Sequence, residues 1–474
     1  MSFLPLDAMA NATRGRWVGP PRSGEPLDGV GTDTRVPLQR RAFVALTGAQ
    51  HDGHDHLAAA EAAGAAALIA SRFPDGFTPS FPTLLVRDTL VALQQLATAW
   101  RAEVAPFTIG ITGSSGKTTT RRLLHGVLSQ VQRGASSPKS FNNEIGVPLT
   151  MLSSSPGDDF LLLEMGMTHP GEIRRLSAIA EQDAAVINMV GRAPLGGMGA
   201  LEAIVTEKAS IADGLPACAT VVANGDNAPL MKALGELGRC DLRVITFGSD
   251  AARNVRLVSR EQHPEVQLET ARAHGQLVQF ELQLPGEHNA MNALAALAMG
   301  LDRGLTPAQV ARGLASVAPS EMRMVRERVG SVDVYNDAYN ANPDAVAAAL
   351  RAFTEVAARA SRRVVVLGDM LELGDGAAAL HAETGRLVMR SFAGGPPELA
   401  VFVGKLSAHA AVAAREARAA NVLHVPDLQP ASMALVAEAL EPGDAILLKG
   451  SRGSAMERLV GALQQPAAQG RSAA

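Results

Sequence analysis

Residues 107–120, FTIGITGSSGKTTT, constrain this chain more than any other stretch. An apolar run typical of a buried strand passes into a glycine-rich turn, and Lys117 and Thr118 then open a helix. Gly113 and Gly116 allow backbone N–H groups of the turn, through Ser114 and Ser115 to Thr118 and Thr119, to approach phosphate oxygens closely. The helix N-terminus adds its dipole to the same point. Lys117 suits the β- and γ-phosphates of a nucleotide, and the Thr118 hydroxyl suits Mg²⁺. The strict phosphate-loop pattern has glycine five positions before Gly116, where this chain has Ile111, so the loop is the short G-x-x-G-K-T form. A strand, loop and helix of this kind belong in an open α/β sheet.

The rest of the chain extends that expectation. Its 474 residues suggest about three domains at ~150 residues each. With 47% hydrophobic and 19% charged residues, large cores can be buried. The pattern divides into an N-terminal part at 1–104, a central part at 105–318 and a C-terminal part at 319–474. In the first, RAFVAL, AALIAS and PTLLVRD read as short strands, with helices at 56–63 and 89–101. In the second, FTIGIT, FLLLEMG, AAVINMV, ATVVANG and RVITFG alternate with helices, which predicts a doubly wound parallel sheet around the phosphate loop. The helix over HNAMNALAALAMGLDRG ends near Gly304, a C-cap candidate. In the third, VDVYND, RRVVVLGD, LAVFVG, NVLHVPD and DAILLKG alternate with helices again, which predicts a Rossmann-like α/β domain. The N-terminal part reads as a smaller α/β domain. The tail QQPAAQGRSAA reads as disordered.

A net charge of -4 with both signs interspersed points to no nucleic-acid or membrane partner. Cys218 and Cys240 stand in no ligand spacing, and the first residues lack the pattern of a secretory signal, so a cytoplasmic location is expected. His51, His54 and His56 crowd the DGHDH stretch, but their spacing puts no ligand set on one helix face, and a metal site is not expected there. The oligomer expectation is a monomer, without a specific signal behind it.

Several segments then carry a resemblance. FNNEIGVPLT (141–150), LPGEHNAMNALAA (284–296), DAYNANPDA (337–345), VLGDMLELG (366–374) and LLKGSRGSAME (447–457) follow the phosphate loop in order, and TDTR (32–35), FVALTG and DGHDH precede it. Together they resemble the Mur ligase family of ATP-dependent amide ligases, in the branch that joins D-alanyl-D-alanine to UDP-N-acetylmuramoyl-tripeptide. The resemblance implies ATP and Mg²⁺ as cofactors and an acyl phosphate as intermediate. It implies that Glu164, at a strand end, is a metal ligand. On spacing alone Lys208 is a solvated lysine beside Glu207; the resemblance implies instead a carbamate that holds a second Mg²⁺. It places Asn289 and Asn292, with His288, near the adenine, Arg323 on the ATP phosphates, Asp337 near the ribose and Asn340 by the nucleotide. Tyr339 and Asn342 would serve the incoming dipeptide, Thr34 and Arg35 the uridine diphosphate, and Asn142 and Asn143 the muramoyl-peptide arm. The C-terminal part would swing about a joint at 317–321. Two positions depart from the family pattern: Pro194 stands where a His is usual, and Ser210 where a Glu is usual. They leave room for two other readings, a ligase of this type acting on a different acid and amine, or a catalytically weak nucleotide-sugar-binding homologue. The third residue of the tripeptide, meso-diaminopimelate or lysine, is not written in the sequence.

Overall fold

The computed structural model describes residues 3–19, 27–48, 50–138, 140–191, 201–392, 395–417 and 421–464. The tail QQPAAQGRSAA therefore falls outside the described residues beyond Gln464, as does Pro194. Three sheets organise the chain.

The first sheet holds β1 (Arg16–Val18), β2 (Gly29–Gly31), β3 (Arg41–Val44), β4 (Ala67–Ala70) and β5 (Thr83–Leu85), in the order β1-β5-β4-β3-β2. All neighbours are parallel except β1 with β5. The expected helix at 56–63 is Leu57–Ala62, preceded by a 3₁₀ turn at Gly53–His56. The Thr89–Val104 helix leads out of this sheet and is capped by Asp88, whose carboxylate accepts from Leu90 and Val91 N–H. It also docks onto the central part: Trp100 Nε1 donates to Ser154 O at 2.9 Å and Arg101 pairs with Asp183 at 2.8 Å.

The second sheet holds β6 (Phe107–Thr112), β7 (Gly134–Ser136), β8 (Phe160–Glu164), β9 (Ala184–Ile187), β10 (Thr220–Asn224), β11 (Arg243–Gly248), β12 (Val255–Gln262), β13 (Gln267–Ala273) and β14 (Gln276–Leu282). Its order is β14-β13-β12-β11-β10-β9-β6-β8-β7. β8, β9 and β10 are buried along their whole length, as parallel strands covered on both faces must be. Ile109 and Ile111 point to the face covered by the Lys117–Leu128 and Glu287–Asp302 helices. Leu161 and Leu163 point to the other, under the Glu172–Ala180 and Leu201–Ala209 helices. Past Asp302, Gly304 takes φ +83°, the left-handed conformation expected at a helix end. The antiparallel ribbon β12–β14 was not anticipated. Its strands are half polar and bury alternate residues, as QLETARA does, so they do not read as apolar runs.

The third sheet holds β15 (Val325–Val329), β16 (Val332–Asp337), β17 (Arg363–Gly368), β18 (Leu399–Val403), β19 (Val422–Val425) and β20 (Ala445–Lys449), in the order β15-β16-β20-β17-β18-β19. It is parallel except for β15. β12 of the second sheet meets the Pro343–Val356 helix beside the third, where Arg260 forks onto Glu355 at 2.8 and 2.6 Å. Nearer the joint, Arg122 donates to Ala318 O at 2.7 Å. Among the described residues no helix is long and apolar enough to cross a membrane.

Candidate active site

The turn after β6 is shaped by two glycines at positive φ, Gly113 at +155° and Gly116 at +83°. At Gly116 a side chain would be strained by the backbone and would also run into Asn292 and Asn188. These two asparagines brace the turn from below. Asn188 Nδ2 donates to Thr120 Oγ1 at 2.6 Å and to Asn292 Oδ1 at 3.3 Å, while Asn292 Nδ2 donates to Asn289 Oδ1 at 3.2 Å. Asn289 in turn donates to Pro285 O at 2.8 Å. The Asn292 side chain thus lies against the phosphate loop. Ser114 N–H donates to Met189 O at 2.8 Å. Lys117 Nζ folds back on Gly113 O at 2.8 Å, over the mouth of the turn. Burial lowers the pKa of Lys117, the Glu164 charge opposes this, and Arg323 adds to the lowering.

Glu164 ends β8 beside this loop and is 1% exposed. Its Oε2 accepts from Thr118 Oγ1 at 3.0 Å and its Oε1 from Arg121 Nε at 2.7 Å. A hydroxyl and a carboxylate oxygen side by side are hard donors of the kind Mg²⁺ takes. No group of three His, Cys, Asp or Glu side chains able to hold a metal occurs among the described residues. Thr118 and Glu164 would hold a Mg²⁺ through these oxygens, with phosphate and water as further donors of the kind that ion accepts.

Lys208 corrects the reading from spacing. It is 2% exposed, not solvated. Burial pushes its pKa well below the ordinary lysine value; the Lys117 charge pushes the same way and Glu207 resists. Glu207 is committed elsewhere: its carboxylate accepts from Gly171 N and Ile173 N, both at 2.8 Å, at the start of the Glu172–Ala180 helix. Ser210 Oγ donates to Glu207 O at 2.7 Å. A buried lysine beside a second lysine is an amine held away from its charged form.

The third sheet supplies the opposite wall. Arg323 lies near enough to Lys117 to lower its pKa, and its guanidinium stacks 4.2 Å from the Tyr339 ring. Tyr339 Oη is hydrogen-bonded to Ser140 Oγ, which joins the YNANP segment to the strand end before FNNEIG. Asp337 ends β16 next to Lys449, whose Nζ donates to Asp337 Oδ2 at 2.7 Å. His288 sits by that pair; burial drives its pKa down to about 4, Asp337 opposing and Lys449 adding to the drop. Asn340 Oδ1 accepts from Ala341 N at 2.9 Å. Asn342 acts as a helix N-cap, accepting from Ala345 N at 2.8 Å. Asn143 likewise accepts from Gly146 N at 2.8 Å, whereas the backbone of Asn142 accepts from Gly166 N at 2.8 Å, just past Glu164.

Thr34 and Arg35 lie on the loop after β2. Arg35 is 88% exposed and forks onto Asp33 at 2.7–3.2 Å, holding that carboxyl at about 2. In the DGHDH stretch, His54 is buried, with Nδ1 2.6 Å from Asp52 Oδ1 and Nε2 accepting from Ser71 N at 3.0 Å. Both ring nitrogens are thereby committed to holding the fold. Arg121, Asn188, Lys449 and Ser451 were not singled out from the sequence. Lys449 and Ser451 lie inside the quoted LLKGSRGSAME segment, which was the available signal.

The chain resembles known proteins along most of its length. The family model for the Mur ligase middle domain matches residues 111–300, and that for the Mur ligase, glutamate ligase domain matches 322–452. The UDP-N-acetylmuramoyl-tripeptide--D-alanyl-D-alanine ligase of Bacillus subtilis is 35% identical over 95% of this chain and 96% of its own length. Among solved structures, MurF from Acinetobacter baumannii superposes with a TM-score of 0.85 at 27% identity, covering 97% of this chain and 98% of that one. MurF ligase from Thermotoga maritima in complex with ADP gives 0.79 at 25% identity, covering 92% and 97%. The two family models and relatives of this identity, matched over nearly the whole chain, place it in the Mur ligase family, and the chain belongs to that family.

Proposed function

We propose that this protein joins D-alanyl-D-alanine to UDP-N-acetylmuramoyl-tripeptide, with ATP converted to ADP and phosphate, in cytoplasmic synthesis of peptidoglycan precursors. The observation that carries the reading is the convergence of Lys117, Thr118, Glu164 and buried Lys208 beneath Arg323, which lies just ahead of β15. A carboxylate is a poor electrophile. Attack of the tripeptide carboxylate on the γ-phosphorus of ATP gives an acyl phosphate and ADP. The dipeptide amine then attacks the acyl carbon, the amide forms and phosphate leaves with the electron pair of the C–O bond. Two anions must meet in the first step, so the catalytic need is positioning and charge neutralisation.

Lys117 and the N–H groups of residues 113–119 serve the phosphates, and Arg323 approaches them from the third sheet. Asn289 and Asn292 support the nucleotide side of the loop, and Asp337 and Asn340 its ribose side. Thr118 and Glu164 would hold Mg²⁺, which supplies Lewis-acid neutralisation of phosphate charge. Lys208 is suited to a carbamate because a buried amine is nucleophilic toward CO₂ and gains an anionic head, a second oxygen donor for Mg²⁺. Asn142 lies beside Glu164, which supports its placing on the muramoyl-peptide arm with Asn143. Tyr339 and Asn342 frame the dipeptide, and Thr34 and Arg35 the uridine diphosphate of the first sheet. The segments 1–104, 105–318 and 319–474 then act as sugar-nucleotide, ATP and closing units, with the joint at 317–321 as the hinge.

Phosphate release tests this reading. With ATP and UDP-N-acetylmuramoyl-tripeptide, steady release is expected only when D-alanyl-D-alanine is present, with a UDP-linked pentapeptide as product. Release with another amine and none with the dipeptide would reassign the substrate. Binding of the sugar nucleotide with no release under any pairing would make the chain a binding homologue.

A further inference from the structure

The LLKGSRGSAME segment ends β20 at a point where three parts of the third sheet meet, and nothing in the reaction described so far uses it. Lys449 is 3% exposed. Its ammonium donates to Asp337 Oδ2 at 2.7 Å, to Asn340 O at 2.9 Å and to Asp337 O at 3.4 Å. Three acceptors match the three hydrogens of an ammonium group. Gly450 has no room for a side chain, since a Cβ would lie 2.6 Å from Met456 Cγ and 3.2 Å from Gly368 Cα. Ser451 N–H donates to Asp369 O at 3.0 Å, and its Oγ accepts from Leu371 N at 2.9 Å and donates to Ala341 O at 3.3 Å. Residues 449–451 therefore clasp the Asp337–Ala341 segment on one side and the Asp369–Leu371 segment on the other.

We propose that Lys449 is a positioning residue for nucleotide binding: its buried ammonium fixes the Asp337 carboxylate and the Asn340 carbonyl so that Asp337 presents an oxygen to the ribose. The proposal rests on the reading of Asp337 as the ribose contact. A carboxylate carries two oxygens, so the one held by Lys449 leaves the other for a ribose hydroxyl. Held on one side, the carboxylate has a single orientation in which to meet the sugar, and the ordering cost of binding falls.

The test is a double-mutant cycle on the full chain, with KM for ATP, KM for the dipeptide and kcat measured for the wild type, Asp337→Asn, Lys449→Gln and the double variant, and thermal unfolding used to establish folding. Lys449→Gln is expected to raise KM for ATP about 10-fold or more while KM for the dipeptide changes by less than about 2-fold. The double variant is expected to be no worse for ATP than Asp337→Asn alone, because Lys449 acts through that carboxylate. Multiplying effects, or an unchanged KM for ATP in Lys449→Gln, would overturn the role of Lys449. An unchanged KM for ATP in Asp337→Asn would overturn the ribose reading and this proposal with it. If Lys449→Gln does not fold, Asp337→Asn combined with Lys449→Met removes the buried ammonium and its partner charge together. Its KM for ATP is then compared with that of Asp337→Asn: equality supports the proposal, and a further rise overturns it.

Discussion

The phosphate loop and the Asp337–Asn342 segment form facing walls of one site, yet they are stabilised over very different distances along the chain. The loop consists of consecutive residues, and Lys117 bonds to Gly113 only four positions away. The opposite wall depends on Lys449, 112 positions beyond Asp337. The first wall takes its shape from glycine conformations and a helix start, which are local properties. The second takes its shape from a strand pairing that puts Asp337 and Lys449 at the same level of a parallel sheet. A local device tolerates loss of one side chain without losing its form, whereas a clasp between distant segments couples ligand binding to the packing of the whole sheet.

That contrast is sharpest at Lys117. Lys117→Ala removes the charge facing the transferring phosphoryl group, and kcat should fall by roughly 10³-fold or more with little change in unfolding temperature. A variant that turns over near the wild-type rate would remove the loop from the chemistry. Lys208→Ala should come next, with activity nearly lost. Short carboxylic acids added in solution should restore part of it, and the Mg²⁺ dependence of the residual rate should shift. Unchanged activity and unchanged Mg²⁺ dependence would mean that Lys208 carries no carbamate.

A third test probes the ribbon that borders the interface. Glu269 is 2% exposed and neither carboxylate oxygen has a hydrogen-bond partner. Burial raises its pKa to about 8, Arg260 opposing and Glu287 adding to the rise. A carboxyl raised above its unfolded value holds its proton more tightly when folded. Its contribution is therefore fully present below the unfolded value of 4.5 and is lost as pH climbs through about 8. Glu269→Met should stabilise the protein by about 1–3 kcal/mol at pH 9 and by less at pH 6. Equal effects at both pH values would show that the group ionises normally. The smallest effect is expected from the Arg260–Glu355 pair that joins β12 to the Pro343–Val356 helix. Its side chains are 17% and 35% exposed, so a double-mutant cycle with Gln at both sites should give a coupling under about 1 kcal/mol. A coupling several times larger would make this pair, not nucleotide contacts, the main tie between the second and third sheets.

The same contrast decides what the sequence made legible. FTIGIT and FLLLE announce themselves as buried strands because they are apolar on both faces, and GSSGKT announces a phosphate site because its residues are adjacent. The ribbon β12–β14 was missed because its alternating polar residues have no apolar run. Asn188 and Asn292 could not be read as braces of Gly116, since each lies far from it in sequence and an asparagine near a helix start has a simpler use as a cap. Asn342 does serve as a helix cap in the fold, and the Asn143 side chain accepts from the backbone ahead of the Gly146–Met151 helix. Lys208 shows the reverse failure: its neighbour Glu207 suggested a solvated pair, but Glu207 turns to another helix and leaves the lysine buried. Burial of a single side chain is a tertiary property, and periodicity in a nine-residue helix does not fix it.

The acyl phosphate is the step on which the account of both walls depends, and it can be followed with heavy oxygen. UDP-N-acetylmuramoyl-tripeptide labelled in the carboxylate that reacts is incubated with ATP and D-alanyl-D-alanine, and the released phosphate is analysed by mass. One labelled oxygen should pass into phosphate for each amide bond formed, with ADP unlabelled. Amide formation with unlabelled phosphate, or with label in AMP, would contradict transfer of the γ-phosphoryl group to the tripeptide.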